Sequence, residues 1–327
     1  MKYLFLPILL TSLLVKSDEG DIVETKIVDL KDYSENKKSY CKERAAEEDL
    51  IWFQDFNDNN LSSDTWTYST SNGFYDGRTY VPGWGNGELQ YYTKPSRKEA
   101  SLFNLTKNLF IEDGYLKIQP IYKKNTSRIS SGERAYNFTS ARINTKNLKS
   151  FSYPSKISIC FKVPKGIGFW PAFWLMPVED IQWPNGGEID IMENRGRISN
   201  ISSSALHFGE KWNKKSTLVG EALISRDVRF QDKFHSISLV WKENSLEFYL
   251  DNSTEPYFSV DSNNEEFKKY KYPFNRDFYM ILNVAVGGKY DDYWVDFDSF
   301  CSDEQCSNKK VPDNYRFLVD WIEYESL

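Results

Sequence analysis

Histidine is almost missing from this chain, with two in 327 residues, and cysteine is sparse, with four. So few histidines exclude a His-rich metal site, and the cysteine spacing does not fit a zinc pattern. Basic residues are in the minority: 41 Lys and Arg face 47 Asp and Glu, which argues against a nucleic-acid-binding protein. No heptad repeat and no internal apolar run of about 18 residues occur, so coiled coils and polytopic membrane proteins are excluded as well.

Aromatic residues, in contrast, are abundant, with 10 Trp, 21 Tyr and 22 Phe. From residue 50 onward, short apolar or alternating runs recur between Gly, Pro, Asn and Asp, as is typical of strands separated by turns. The runs predict strands at 50–53, 109–111, 115–120, 140–143, 155–162, 172–175, 188–192, 203–208, 235–242, 245–250, 278–286 and 317–324. They indicate an all-β sandwich or barrel in one domain, residues 50–327.

The first residues have the layout of a secretory signal peptide. Met1-Lys2-Tyr3 supplies one positive charge, residues 4–15 are mostly apolar, and Val15-Lys16-Ser17 offers a cleavage site. We predict that residues 1–17 are removed and that the protein is secreted; the alternative is a buried first strand. The segment is too short to span a bilayer, so no membrane span is expected after cleavage. Residues 18–49 are charged and irregular, and we interpret them as an N-terminal extension.

Two other features agree with secretion. Four cysteines suit two disulfides, with three possible connectivities. Cys301 and Cys306 are close enough to join one loop, which leaves Cys41 to bind the N-terminal segment to Cys160. Six Asn-x-Ser/Thr sequons occur, and those that carry glycans must face solvent: Asn60, Asn104, Asn125, Asn137, Asn200 and Asn252.

The most informative stretch is 186–194, in which Glu188, Asp190 and Glu193 are interleaved with apolar residues. In a strand, Glu188 and Asp190 point to one face while Ile189 and Ile191 enter the core. Glu193 has the wrong parity for that face, and a β-bulge near Met192 would restore it.

Three carboxylates on one face repel one another, so at least one of them is expected to keep its proton near neutral pH. A glycosidase needs this arrangement, because one carboxylate must be ionised to attack the anomeric carbon while another donates a proton. Glu188 and Glu193, on either side of a bulge, are expected at the roughly 5–5.5 Å of a retaining enzyme. The alternative from the carboxylates alone is an exposed acidic strand face.

The Glu-x-Asp-x-x-Glu pattern after Trp-Pro-x-x-Gly resembles the active-site strand of glycoside hydrolase family 16, in its laminarinase (endo-β-1,3-glucanase) branch. Five other blocks of the chain resemble blocks of the family and follow one another in the family's order. The block at 136–143 contains an insertion, Asn137-Phe138, relative to the family pattern. These blocks are 84–93 (WGNGELQYYT), 136–143 (YNFTSARI), 168–177 (GFWPAFWLMP), 278–288 (FYMILNVAVGG) and 319–322 (VDWI).

The resemblance implies a jelly roll of two curved antiparallel sheets with the substrate in a concave cleft. It implies that Glu188 is the nucleophile, Asp190 an assisting acid and Glu193 the general acid/base of a retaining enzyme that acts on β-1,3-glucan without an organic cofactor. Phe208 and Glu210 depart from the family pattern and leave the outer subsites open.

Further residues become candidates for substrate binding, because flat aromatic faces stack on sugar rings while polar groups bind their hydroxyls. For the Trp residues the alternative is core packing, for the Arg a structural salt bridge, and for the His a buried, satisfied ring; His235 is interpreted as structural. The candidates are Trp84, Asn86, Arg142, Trp170, Trp174, Trp183 and His207.

A structural calcium is also implied by the resemblance, with oxygen ligands at Asp55, Gly114 and Asp320. We expect a monomer whose partner is a β-glucan polysaccharide. Two other functions stay open: a non-catalytic β-glucan recognition protein and a glucan transglycosylase. A Ser-His-Asp hydrolase is disfavoured, because no Gly-x-Ser-x-Gly motif is present.

Overall fold

In the part of the chain that the structure describes, the strands form two large β-sheets, of nine and eight strands, and two small ones. The computed structural model describes residues 13–16, 21–29, 37–58, 61–95, 108–127, 136–307 and 311–327. Within these residues it has two short α-helices, α1 (Glu265–Tyr270) and α2 (Asp303–Ser307). The strands are β1 (Leu13–Lys16), β2 (Ile22–Ile27), β3 (Leu50–Asp55), β4 (Thr67–Tyr68), β5 (Gly73–Asp76), β6 (Thr79–Pro82), β7 (Gln90–Tyr92), β8 (Leu109–Glu112), β9 (Tyr115–Ile118), β10 (Ile121–Ser127), β11 (Tyr136–Ser140), β12 (Arg142–Asn144), β13 (Ser155–Lys162), β14 (Phe169–Pro177), β15 (Glu188–Glu193), β16 (Ile201–Lys211), β17 (Lys214–Leu223), β18 (His235–Lys242), β19 (Ser245–Leu250), β20 (Phe258–Asp261), β21 (Phe278–Val286), β22 (Cys301–Ser302) and β23 (Phe317–Glu325).

The nine-stranded sheet has the order β1-β2-β17-β16-β15-β14-β21-β12-β4, so β15, with its three carboxylates, is the central strand. The eight-stranded sheet has the order β20-β19-β18-β13-β23-β9-β8, with β3 also paired to β23. Their apolar sides enclose one large core, in which Phe173 and Leu206 of the first sheet join Ile159 and Leu239 of the second. This is the all-β sandwich that the sequence predicts.

Strands with a clear apolar rhythm begin and end where the sequence predicts. The bounds of β13, β18, β19 and β21 are as predicted, and the buried residues of β19 are every second one, as a period of two requires. The predicted strand 140–143 is divided at Ala141, between β11 and β12. Helix α1 was not predicted; its N-cap residue is Asn264, whose side chain accepts a hydrogen bond from the Glu266 amide.

The N-terminal extension is not irregular throughout, so that expectation is wrong for part of it. Residues 22–27 form β2, which pairs in parallel with β17 and adds a strand to the nine-stranded sheet. The Thr25 hydroxyl donates to Glu221 Oε2 at 2.9 Å across this pair. Strand β1, inside the predicted signal peptide, pairs antiparallel with β2. Cleavage after Ser17 stays a prediction.

Both expected disulfides are present. Cys41 is bonded to Cys160 of β13, and Cys301 to Cys306, each with a Cα–Cα distance of 5.7 Å. The first bond fixes the N-terminal segment to the outer face of the eight-stranded sheet, where Lys42 contacts Glu323.

The sequons differ in where they fall. Asn137 and Asn252 are exposed, whereas Asn200 is partly buried and donates to the Ile224 carbonyl at 3.3 Å. Asn60, Asn104 and the side chain of Asn125 lie outside the described residues. Among the helices of the described part, none is long and apolar enough to cross a membrane.

Candidate active site

Strand β15 starts at a position that only glycine fits. Gly187, immediately before Glu188, has a φ of 83°, and a Cβ there would lie 2.9 Å from the Phe274 ring. Glycine tolerates both conditions because it has no side chain. The strand then runs through Ile189, which is buried in the core, so Glu188 is turned away from the core.

The bulge predicted in this strand is present. On β14, Trp174 is opposite Asp190 but the adjacent Phe173 is opposite Met192, so one residue of β15 is extra. The carboxylates consequently pair with every second residue of β16: Glu188 with His207, Asp190 with Ala205 and Glu193 with Ser203. Alternate residues of one strand share a face, so the three carboxylates share a face too.

The three carboxyl groups have pKa values well above those of exposed Asp and Glu. Burial raises the pKa of Glu188, of Asp190 and of Glu193 to about 8 in each case. For Glu188 and Glu193 the charge of Asp190 raises the pKa further, while His207 opposes the rise. At least one proton is therefore retained near neutral pH, as a general acid requires.

Two indoles donate hydrogen bonds to the outer two carboxylates. Trp183 Nε1 lies 2.8 Å from Glu188 Oε2, and Trp170 Nε1 lies 2.7 Å from Glu193 Oε1. Neither Trp belongs to the hydrophobic core, so the core alternative does not apply to them. The structure thus gives them a role that the sequence did not predict, because they bind the outer two carboxyl groups directly.

His207 lies beside the middle carboxylate. Its Nε2 is 3.0 Å from Asp190 Oδ2 and 3.9 Å from Glu188 Oε1, and its Nδ1 is 3.1 Å from the Thr217 hydroxyl. The ring is partly exposed, so it is not the fully buried histidine of the alternative interpretation. It is a polar neighbour that can respond to charge on either carboxylate.

The Arg142 guanidinium lies between two indoles. It is 4.1 Å from the ring centre of Trp84 and 4.7 Å from that of Trp174. No described ion pair includes Arg142, so the salt-bridge alternative is not what the structure shows. Trp174 Nε1 donates to Asn283 Oδ1 at 2.7 Å. Trp84 has a left-handed φ of 52°, an uncommon conformation for a bulky residue and one that concentrates at functional sites.

Asn86 is held by a carboxylate that the sequence did not single out. Its Nδ2 donates to Glu88 Oε1 at 3.1 Å, and Gln90 Nε2 donates to the other oxygen at 2.6 Å. Burial raises the pKa of Glu88. Glu88 lies inside the block 84–93, and an acidic residue within a block that resembles the family was the signal that could have identified it.

Tyr290 is a second residue that the sequence did not predict. Its ring stacks on Trp170 with a centroid distance of 4.9 Å, and its hydroxyl lies 2.6 Å from that of Ser203. The residue follows Gly287-Gly288 in the loop after β21. It supports the indole that binds Glu193.

His235 is separate from this group and fully buried. Its Nδ1 lies 2.8 Å from Asp251 Oδ2 and its Nε2 3.0 Å from the Val228 carbonyl. Both ring nitrogens have partners inside the protein, which agrees with the structural role expected from the sequence.

The residues expected to hold calcium lie near one another on the eight-stranded sheet. Burial raises the pKa of Asp320; the charge of Arg44 opposes this rise and the charge of Asp55 adds to it. Asn57 Nδ2 donates to Asp55 Oδ2 at 2.7 Å, and a Cβ on Gly114 would be 3.3 Å from the Asn57 side-chain oxygen. This set of oxygen donors fits calcium chemistry. Calcium here stays a prediction.

In the described residues, one group of three Asp, Glu, His or Cys side chains brings its ligand atoms within 4.8 Å of one another. It consists of Glu188, Asp190 and His207, which belong to the carboxylate site. Asp55 and Asp320 are not in such a group, so a calcium there would need backbone oxygens such as that of Gly114.

Comparison with known proteins gives a consistent result. The sequence matches the family model described as Glycosyl hydrolases family 16 over residues 97–295. It is 33% identical over 253 residues to the glucan endo-1,3-beta-glucosidase A1 of Niallia circulans, which covers 74% of this chain and 34% of that protein. The chain therefore spans about a third of that relative.

Two further proteins are similar over most of their length. The glucan endo-1,3-beta-glucosidase of Cryptopygus antarcticus is 32% identical over 245 residues, covering 74% of this chain and 81% of that protein. The X-ray structure of endo-beta-1,3-glucanase from Pyrococcus furiosus has a TM-score of 0.69 and 30% identity, covering 85% of this chain and 94% of that one.

Proposed function

Because this chain belongs to glycoside hydrolase family 16, we propose that it is a secreted, endo-acting β-1,3-glucanase that retains the anomeric configuration. The observation that carries this proposal is the group of Glu188, Asp190 and Glu193 on one face of a bulged strand, each with a pKa of about 8. The linkage and the endo action follow the names of the relatives. Secretion is supported by the N-terminal apolar run and by two disulfides.

In the first step, Glu188 attacks the anomeric carbon with a carboxylate oxygen, and the bond to the glycosidic oxygen breaks. Glu193 donates its proton to that oxygen, so the leaving glucan departs as a neutral alcohol. Trp183 and Trp170 keep the two carboxyl groups in place through their indole N–H groups. Asp190 stands between them and, with His207, adjusts the charge at Glu188.

In the second step, water replaces the departed glucan. Glu193, now ionised, accepts a proton from the water, and the hydroxide attacks the anomeric carbon of the glycosyl ester. The ester bond to Glu188 breaks and the sugar leaves with its original β configuration. Every proton and bond in the two steps is supplied by this chain's carboxyl groups, the substrate and water.

The stereochemistry of the first product tests this proposal. We expect proton NMR during hydrolysis of a β-1,3-gluco-oligosaccharide to show the β-anomer first, with the α-anomer appearing only later by mutarotation. Initial release of the α-anomer would contradict a double displacement.

Two other functions use the same scaffold. A non-catalytic recognition protein would bind laminarin without producing new reducing ends, but both glutamates that hydrolysis needs are present and held in position. A transglycosylase would transfer the glycosyl unit to another glucan instead of to water. Products longer than the starting oligosaccharide at high substrate concentration would identify it.

A further inference from the structure

An exposed tryptophan stands at the tip of the hairpin between β16 and β17. Lys211 and Lys214 are paired, so Trp212 and its neighbour form the turn. The Trp212 side chain is 53% exposed. Aromatic side chains of this size contribute most to stability when buried, so an indole at a turn tip gives the fold little.

Trp212 is connected to the carboxylate site through one other indole. Its ring lies 5.0 Å from that of Trp183, at an interplanar angle of 46°. Trp183 in turn donates to Glu188. The exposed ring therefore contacts the side chain that donates to the proposed nucleophile, so only Trp183 separates it from Glu188.

Two ammonium groups accompany this pair of indoles. Lys215 Nζ lies 4.9 Å from the Trp183 ring centre and 5.1 Å from that of Trp212, so it holds the two rings together. Lys289, from the loop after β21, reaches to 5.8 Å from Trp212. The result is an accessible aromatic face bordered by hydrogen-bond donors.

We propose that Trp212, Trp183 and Lys215 form an outer subsite that binds one glucosyl ring of the glucan beyond the ring that reacts. The apolar C–H face of a hexopyranose fits an indole, and its hydroxyl oxygens can accept from the neighbouring ammonium groups. The inference rests on the proposed function and specifies it further, since such a subsite makes the enzyme favour long chains.

The dependence of rate on chain length tests the subsite. For the wild type, kcat/KM should rise between the trisaccharide and the heptasaccharide of β-1,3-linked glucose. Trp212→Ala should lower kcat/KM for the heptasaccharide roughly tenfold, the size of one lost stacking contact, and change the trisaccharide value much less. Trp212→Phe, which keeps a flat ring, should retain most of the preference.

A second experiment measures binding in a variant that cannot hydrolyse the substrate. In a Glu188→Gln background, calorimetry should show the same roughly tenfold loss of heptasaccharide affinity on adding Trp212→Ala. Ile51→Ala, at an equally exposed residue of β3, is the matched control and should leave affinity unchanged. Equal losses on both oligosaccharides, or no loss, would overturn the subsite. A wild type that hydrolyses neither would instead refute the proposed function.

Discussion

Two strands of this molecule carry closely spaced buried carboxylates, and their surroundings differ. On β15, Glu188 and Glu193 accept hydrogen bonds from neutral indole N–H groups. On β23, Glu323 and Glu325 are both within 3.0 Å of the Lys42 ammonium. Burial and the neighbouring Asp190 raise the pKa of Glu188 and Glu193, whereas Glu323 and Glu325 form salt bridges with an ammonium group that is itself largely buried.

The second pair also shows what the N-terminal segment contributes. Cys41 is bonded to Cys160, which holds the adjacent Lys42 against β23. Neighbouring acids on one strand thus stabilise the fold in the eight-stranded sheet, whereas on β15 they line the candidate active site.

The largest expected difference is in activity. Glu188→Gln should reduce hydrolysis of laminarin at least about a thousandfold, because an amide cannot act as the nucleophile. Glu323→Gln, the same change in the other cluster, should leave kcat within about twofold, since its side chain is fully buried beneath the N-terminal segment. Initial rates of reducing-sugar release measure both. Similar losses of activity in the two variants would contradict the assignment of catalysis to β15 rather than β23.

The free energy of unfolding should be affected mainly by the change at Glu323, in contrast to the activity. Glu323→Gln leaves the buried Lys42 with one carboxylate fewer and should lower the free energy of unfolding by about 3 kcal/mol. Chemical denaturation at neutral pH measures this. Arg44, whose side chain is half exposed and which also contacts Glu323, provides a control: Arg44→Gln should cost less than about 1 kcal/mol. An unchanged unfolding free energy for Glu323→Gln would contradict the role given to this pair.

The two histidines offer a second version of the comparison. His235→Asn removes a buried ring with two partners and should lower the unfolding free energy by about 2 kcal/mol, with activity retained in the folded fraction. His207→Asn should reduce kcat roughly tenfold to a hundredfold and shift the pH–rate profile, because the ring contacts Asp190 and Glu188. Thermal unfolding measures the loss of stability, and rates as a function of pH measure the effect on the carboxylates. An altered pH–rate profile for His235→Asn would contradict a purely structural role of His235.

The smallest expected effect is on how the free energy of unfolding depends on pH. The pKa of Glu188 is raised from 4.5 to about 8 on folding, so the folded state holds a proton that the unfolded chain has lost between these values. Stability from this group is present below pH 4.5 and is lost as pH rises through about 8. Glu188→Gln should therefore stabilise the fold at pH above this range by about 1 kcal/mol, and little at acidic pH. Equal stabilisation at both would contradict the pKa shift.

Some of this structure follows from local sequence pattern and some does not. Strands β13 and β19 were predicted with their bounds because apolar residues alternate along both sequences. In β19 every second residue is buried, whereas in β13 Ser158 and Cys160, between the apolar positions, are buried as well. Strand β2 was not, because its residues include charges and its partner residues in β17 are 196 positions away in the chain. Parallel pairing with a strand so distant in the chain cannot be predicted from the short segment itself.

The candidate site shows the same division. The three carboxylates and the bulge follow from parity along one strand. The indole bonds of Trp170 and Trp183 do not, since both Trp side chains reach β15 from other segments. Trp212 lies outside the blocks that resemble the family, so only its contact with Trp183 reveals it.

A covalent intermediate on Glu188 is the most specific consequence of the proposed chemistry. Incubation with an activated 2-deoxy-2-fluoro β-glucoside of the laminarin type slows the second step, so the glycosyl ester accumulates. We expect intact-protein mass spectrometry to show an increase of one glycosyl unit, and peptide mapping to place it on Glu188. An adduct on Glu193, or no adduct in protein that hydrolyses laminarin, would contradict the assignment.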